Sequence, residues 1–247
     1  MDARPATAEH REDCALEHSP GSPIEPMGAR TIAGVIFDLD GVLVQTEHLG
    51  WIAWRDFLQP LGQEFSFDRY RQLIGTGETA HTIRERYGLE IPVGELISDH
   101  RRRLLSLLET DLQITPGAIE TVDEVRSKGR LVAVATNSPR EYTRRILELS
   151  NLAGRLDTVV TAEDVGNPKP APDVYLAAAS RLGLRSSQCL AVEDSPPGQT
   201  AAIMAGMLCA VIPNSHLVSD EFCNSSPRFP TLLAFRDALG ALLQGRA

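Results

Sequence analysis

The chain is short of what would bind a polyanion, cross a membrane or build a disulfide scaffold. Basic side chains are in deficit, with 24 Lys and Arg against 33 Asp and Glu and a net charge of −9. That balance disfavours a nucleic-acid backbone or an anionic membrane surface as the main partner, so any bound phosphate must be neutralised locally. The apolar stretch from Ala201 to Pro213 is interrupted by Gly206. It falls well below the roughly 20 apolar residues of a membrane-spanning helix and is not placed as a signal peptide. Cys14, Cys189, Cys209 and Cys223 contain no CxxC pair, and two of them sit in apolar runs typical of buried strands. Reduced thiols in a cytoplasmic protein are the expectation. The six histidines, His10, His18, His48, His81, His100 and His216, lack HxxxH or HExxH spacing, so none is assigned to a metal. There is no internal repeat.

What is present is enough for a folded chain: 247 residues, 43% of them apolar, suffice for one domain with a substantial insertion. Residues 1–30 are rich in Pro, Glu, Ala and Ser without an apolar period and read as a disordered leader, with Met27 a candidate natural start. From Thr31 onward, short β-branched runs alternate with helical segments, the pattern of a parallel sheet covered by helices. The expected strands are Ile32 to Phe37, Leu131 to Ala135, Asp157 to Val160, Cys189 to Val192 and Leu208 to Ile212. Helix starts are expected at Thr115-Pro116, at Ser138-Pro139 with Glu141 completing a capping box, and at Ser195-Pro196. Gly129, Gly183 and Gly206 stand where helices should end. Between about Glu47 and Gln113 no strand pattern remains. Trp51, Trp54, Phe57, Leu58 and Leu61, and later Leu96, His100, Leu104 and Leu107, recur at helical spacing. Residues 47–113 are therefore expected to be a helical insertion, with 31–46 and 114–247 forming the sheet core.

Four segments carry chemistry. Val35-Ile36-Phe37 runs into Asp38-Leu39-Asp40-Gly41, where two carboxylates two residues apart can face the same side and Gly41 allows a sharp turn. Such a pair can divide the roles of nucleophile and acid/base, provided that cations and donors offset the charge of a phosphate. An Asp-x-Asp-Gly after a strand also suits a simple turn or cation site. Thr136-Asn137-Ser138 follows an apolar strand and opens a helix, a place fit for an anion as well as for an ordinary cap. Lys169 stands alone among Pro168, Pro170 and Pro172 in a stiff loop, either a fixed counter-charge or a solvated turn lysine. Glu193-Asp194-Ser195 ends another apolar strand and offers oxygen ligands for a hard cation, or an acidic start to a helix.

In that order and spacing, Asp38-Leu39-Asp40-Gly41, Thr136-Asn137, Lys169-Pro170-Ala171-Pro172 and Glu193-Asp194-Ser195 closely resemble the four signature motifs of the haloacid dehalogenase-like superfamily. The resemblance covers roughly residues 31–213. It points to the branch with a helical cap between the first two motifs, which includes phosphoglycolate phosphatases, sugar phosphatases and β-phosphoglucomutases. It implies an α/β fold with a Rossmann-like parallel sheet of strand order 5-4-1-2-3 and a small helical cap inserted after the first strand. It further implies Asp38 as nucleophile, Asp40 as acid/base, and Thr136, Asn137 and Lys169 as phosphate-binding residues. Mg²⁺ would be held by Asp38, the backbone carbonyl of Asp40 and Asp194, with Glu193 either a ligand or one step behind. The implied activity is a Mg²⁺-dependent phosphatase acting on a small phosphorylated metabolite such as a sugar phosphate or phosphoglycolate. A dehalogenase does without the second aspartate and the metal, so Asp40 and the acidic pair argue against that chemistry.

Two departures bear on the reaction. Many relatives read Val-x-Asp-[Thr or Ser]-Glu after the first motif, whereas this chain has Val44-Gln45-Thr46-Glu47, with Gln45 in place of the acid. The mutases resemble one another in a histidine that aligns with Gly50, and in a lysine and asparagine that correspond to Pro139 and Arg140. A phosphosugar mutase is thus the weaker alternative. A catalytically weak binding protein on the same fold is a further one. The cap's substrate-reading loop is expected near Ile74-Gly75-Thr76-Gly77-Glu78-Thr79, and Arg101-Arg102-Arg103 could attract a second anionic group or form a solvated helix face.

Overall fold

The computed structural model describes residues 31–74, 79–213, 222–223 and 226–244. The expected leader, and the central part of the expected substrate-reading loop, lie outside the described residues. A parallel sheet is built from β1 (Gly34–Phe37), β4 (Leu131–Ala135), β5 (Thr158–Val160), β6 (Cys189–Glu193) and β7 (Leu208–Val211), in the order β5-β4-β1-β6-β7. Counted within the sheet and read from the β7 edge, this is 5-4-1-2-3. The expected strands are present, with ends trimmed by at most two residues and β6 extended to Glu193.

Both faces of the sheet are covered, which is why its strands read as nearly continuous apolar runs. Val35, Phe37, Val132, Val134, Leu190 and Val192 point to one face. There they meet α5 (Ala118–Ser127), α6 (Arg140–Leu149) and α9 (Leu232–Leu242), through residues such as Val122, Ile146 and Phe235. The alternate residues Ile36, Ala133, Ala135 and Ala191 face α7 (Asp173–Arg181) and α8 (Pro196–Met204), whose contacts are Val174, Tyr175, Ala178 and Ala201.

The remaining helices, α1 (Glu47–Leu58), α2 (Phe67–Arg71), α3 (Thr79–Arg86) and α4 (Val93–Asp111), lie between β2 (Val44–Gln45) and β3 (Gln113–Ile114). These short strands pair antiparallel, Val44 with Ile114 and Gln45 with Gln113, where the chain leaves and re-enters the sheet portion. The helices share a small core of Trp54, Leu58, Phe65, Ala80, Ile83 and Leu96. His100 belongs to it structurally: its ring stacks on Trp54 at 4.4 Å, and its Nε2 lies 3.0 Å from the Gly50 carbonyl oxygen. The far ends of α1 and α4, at Leu49 and Leu108, pack instead into the main core.

Two helix starts differ from expectation. Ser138 does not cap α6: that helix begins at Arg140, after Pro139, with no side-chain cap bond. The Ser138 hydroxyl is drawn to a carboxylate far away in sequence. Likewise α5 starts at Ala118, after Gly117 at φ 84°, later than Thr115-Pro116 suggested. Ser195 does cap α8, accepting from the Gly198 N–H at 3.2 Å.

Candidate active site

The carboxyl ends of β1, β4 and β6 meet where the sheet reverses its winding, the place where open α/β sheets bind ligands. Asp38 follows β1, Thr136 follows β4, and Glu193 and Asp194 end and follow β6. The Asp38 N–H donates to the Val192 carbonyl at 2.9 Å, so the β1–β6 ladder continues into the site and fixes the aspartate's backbone. Gly41 makes the turn that follows, at φ 82°. A Cβ there would come within 1.9 Å of Asp194 Oδ2, so a side chain is excluded on both counts.

Lys169 reaches the middle of this cluster. Its Nζ donates to Asp38 Oδ1 at 2.6 Å, to Glu193 Oε1 at 2.7 Å and to the Ala135 carbonyl at 2.8 Å. Burial alone would lower its pKa, but the charges of Asp38 and Glu193 more than offset this and hold the ammonium protonated. Burial is also the largest influence on Asp38. Joined by the Glu193 and Asp40 charges and opposed by Lys169, it pushes the carboxyl up to about 7.

Asn137 secures the lysine's loop from outside. Its Nδ2 donates to the Lys169 carbonyl at 3.1 Å, and its Oδ1 accepts from the Lys169 N–H at 2.8 Å. Thr136 is buried, with its hydroxyl oxygen accepting from the Ser138 N–H at 3.0 Å. Glu193 is enclosed by donors. Oε1 accepts from Tyr175 at 2.6 Å as well as from Lys169, and Oε2 lies 3.2 Å from both the Asp194 N–H and the Ser195 hydroxyl. The carboxylate fills the space beside Gly198, where a Cβ would approach it to 2.0 Å.

Asp38, Glu193 and Asp194 present carboxylate oxygens within 4.8 Å of one another, all three buried. Three buried acids against the single Lys169 ammonium leave an excess of negative charge that a divalent, oxygen-seeking cation would offset. The side chain of Asp40 is not in this group. Its Oδ2 accepts from Ser138 at 2.6 Å, and its Oδ1 accepts from Tyr142 at 3.0 Å and from a close Thr46 hydroxyl. Its carboxylate is held by these three hydroxyls instead.

The structure thus brings Asp38, Asp40, Thr136, Asn137, Lys169, Glu193 and Asp194 to one end of the sheet. It adds Thr46, Ser138, Tyr142 and Tyr175, which sequence reasoning had not given these contacts. Arg102 and Arg103 pair with Asp99 on their own helix, and Arg103 also lies over Phe57.

Comparison with known proteins agrees with this geometry. The model of the haloacid dehalogenase-like hydrolases matches residues 32–206. A Drosophila melanogaster protein named a probable pseudouridine-5'-phosphatase is 31% identical over 216 residues, covering 84% of this chain and 93% of its own. Hexitol phosphatase B of Escherichia coli K12 is 31% identical over 220 residues, covering 85% and 98%. Among solved structures, CbbY from Rhodobacter sphaeroides in complex with phosphate superposes with a TM-score of 0.72 at 24% identity, covering 81% of this chain and 94% of its own.

Proposed function

Because the chain belongs to the haloacid dehalogenase-like hydrolases, we propose that it is a Mg²⁺-dependent phosphatase that hydrolyses a small phosphorylated metabolite through Asp38. One observation carries this reading. A buried carboxylate at the switch point of the sheet is held 2.6 Å from a buried ammonium, beside two further acids and with a second aspartate two residues on. Asp38 attacks phosphorus, and the bond to the leaving oxygen breaks as Asp40 supplies that oxygen with a proton. Water then attacks the same phosphorus and gives its proton to Asp40, which releases phosphate and restores Asp38. Lys169, with the Thr136 segment, offsets the charge of the phosphoryl oxygens.

The donor set is hard oxygen, and we assign Mg²⁺ to Asp38, Asp194 and the backbone carbonyl of Asp40. When bound, it neutralises the anionic substrate in front of an anionic nucleophile. Glu193, with both oxygens already accepting from protein donors, is assigned to anchoring Lys169. The helices of residues 47–113 are assigned as a cap over the leaving-group side. Relatives named for pseudouridine 5'-phosphate and for hexitol phosphate support a substrate with a phosphate on a sugar or polyol. Buried thiols at Cys189 and Cys209 suit a cytoplasmic setting.

The mutase alternative is disfavoured by Gly50, which aligns with the mutases' histidine. A Cβ at this position would come within 2.2 Å of the Tyr70 hydroxyl, which fills the space a longer side chain needs. The test is phosphate release from sugar phosphates, hexitol phosphates, phosphoglycolate and an aryl phosphate, with Mg²⁺ or chelator, in the wild type and Asp38→Asn. Metal-dependent release lost in the variant supports the phosphatase. Interconversion of sugar phosphates without release would replace it by the mutase, and metal-dependent ligand binding without turnover by a binding protein.

A further inference from the structure

Asp40 is gripped by three hydroxyls that come from two separate places in the fold. Thr46 lies between β2 and α1, Ser138 lies between β4 and α6, and Tyr142 is in the first turn of α6. Ser138 and Tyr142 are 98 and 102 residues from Asp40 in sequence, yet donate to its Oδ2 at 2.6 Å and its Oδ1 at 3.0 Å. Thr46 donates to Oδ1 as well. Tyr142 is 5% exposed and Thr46 is 4% exposed, so neither hydroxyl has bulk water as an easy alternative partner.

These contacts fix the torsions of a side chain that must otherwise choose among rotamers. A carboxyl with one oxygen held from each side cannot swing away from the reacting centre without breaking a buried hydrogen bond. Thr46 belongs to the stretch by which the chain enters the helical insertion. Ser138 and Tyr142 belong to the sheet portion, so their hold on Asp40 does not depend on where the insertion sits.

We propose that Tyr142 and Ser138 are positioning residues for Asp40, aiming its carboxyl at the leaving oxygen. This rests on the phosphatase reading above, in which the P–O bond to the leaving group breaks as Asp40 protonates it. The dependence must then vary with the leaving group. An alkoxide leaving from a sugar or polyol needs the proton at the moment of bond cleavage. An aryl oxide of low pKa departs without it.

The test compares kcat/KM, which reports the phosphoryl-transfer step, for a hexitol phosphate and for p-nitrophenyl phosphate. The wild type, Tyr142→Phe, Ser138→Ala and Ser138→Thr are measured with Mg²⁺ at saturation. For Tyr142→Phe and Ser138→Ala the expected fall is about 10- to 30-fold on the alkyl ester. It should be at least about five times smaller on the aryl ester. Ser138→Thr, which keeps a hydroxyl, should recover most of the loss on the alkyl ester. Equal falls on both esters would mark a merely structural role and overturn the proposal, as would no change on either. The serine pair keeps the test decisive if the buried phenol proves necessary for folding. If the wild type releases no phosphate from either ester, the phosphatase reading itself fails and takes this inference with it. Wild-type release lost in Asp38→Asn, together with no leaving-group split, overturns the inference alone.

Discussion

The sheet core and the helical insertion are built to different standards. In the core, β1, β4 and β6 are wholly or almost wholly inaccessible, and every strand is packed on both faces. The insertion rests on one small cluster around Trp54, Ile83 and Leu96. It joins the core through the two-residue strands β2 and β3 and the packed ends of α1 and α4. The charged groups of the candidate site are all carried by the core, Asp38, Glu193 and Asp194 at strand ends and Lys169 in the loop before α7. The part with less holding it together is the insertion, which under the proposed function would read the substrate.

The sharpest test of that division is the proposed nucleophile, Asp38. Asp38→Asn keeps the size of the side chain but removes the attacking charge, and phosphate release should fall by at least about 10³-fold. Retention of more than about a tenth of the activity would place the chemistry elsewhere. A smaller but still large effect is expected on the stability of the core from Lys169→Met. It leaves Asp38 and Glu193 facing each other without their cation, and removing one partner from a buried ion pair costs about 3–5 kcal/mol. A denaturant melt of the metal-free protein measures it, and a loss below about 1 kcal/mol would show that the acids are not held apart by the ammonium.

The insertion should respond on its own. Leu96→Ala opens a cavity in its small core at a cost of about 2–5 kcal/mol. Hydrogen exchange should then show α1, α3 and α4 losing protection while β1, β4 and β6 keep theirs, with Mg²⁺ affinity unchanged because Asp38 and Asp194 are not on the insertion. A single shared loss of protection across both regions would erase the distinction. Mg²⁺ itself should protect the core: at about 100 times its Kd, it adds about 2.7 kcal/mol to the apparent stability. The rise in Tm should nearly vanish in Asp194→Asn, and a rise of equal size there would remove Asp194 from the ligand set.

Legibility in the sequence followed the same boundary. The strands could be read closely because a doubly covered sheet demands unbroken β-branched runs, and Val35-Ile36-Phe37 or Leu131-Val132-Ala133-Val134 has no other good home. Asp38, Glu193 and Asp194 were visible because each stands at the end of such a run, and Lys169 because it stands alone among prolines. Hydroxyls were not. Thr46, Tyr142 and Tyr175 have no local pattern that points to Asp40 or Glu193, and for the two tyrosines the partner comes from another element. Ser138 had a misleading pattern, for Ser-Pro-x-Glu matches a helix start, and a carboxylate 98 residues away won its hydroxyl. The β2–β3 pair was too short for alternation to register.

Gln45 is where the two regions touch most delicately, and it carries the smallest expected effect. In place of an acid it offers an amide, whose Nε2 donates to the Thr115 hydroxyl at 2.9 Å and lies 3.3 Å from the Gly41 carbonyl. One side chain therefore ties the outgoing strand, the returning strand and the turn after Asp38. Gln45→Ala should cost about 1 kcal/mol or less in global stability, the net value of a neutral hydrogen bond. Its kinetic signature is more telling. If the insertion reads the substrate by swinging on β2 and β3, loosening this tie should change KM for a hexitol phosphate by about 2- to 5-fold. Turnover of the small aryl ester should barely move, because that ester asks little of the insertion. An equal change in both would make Gln45 part of the core's chemistry and move the boundary between the two regions inward to Gly41.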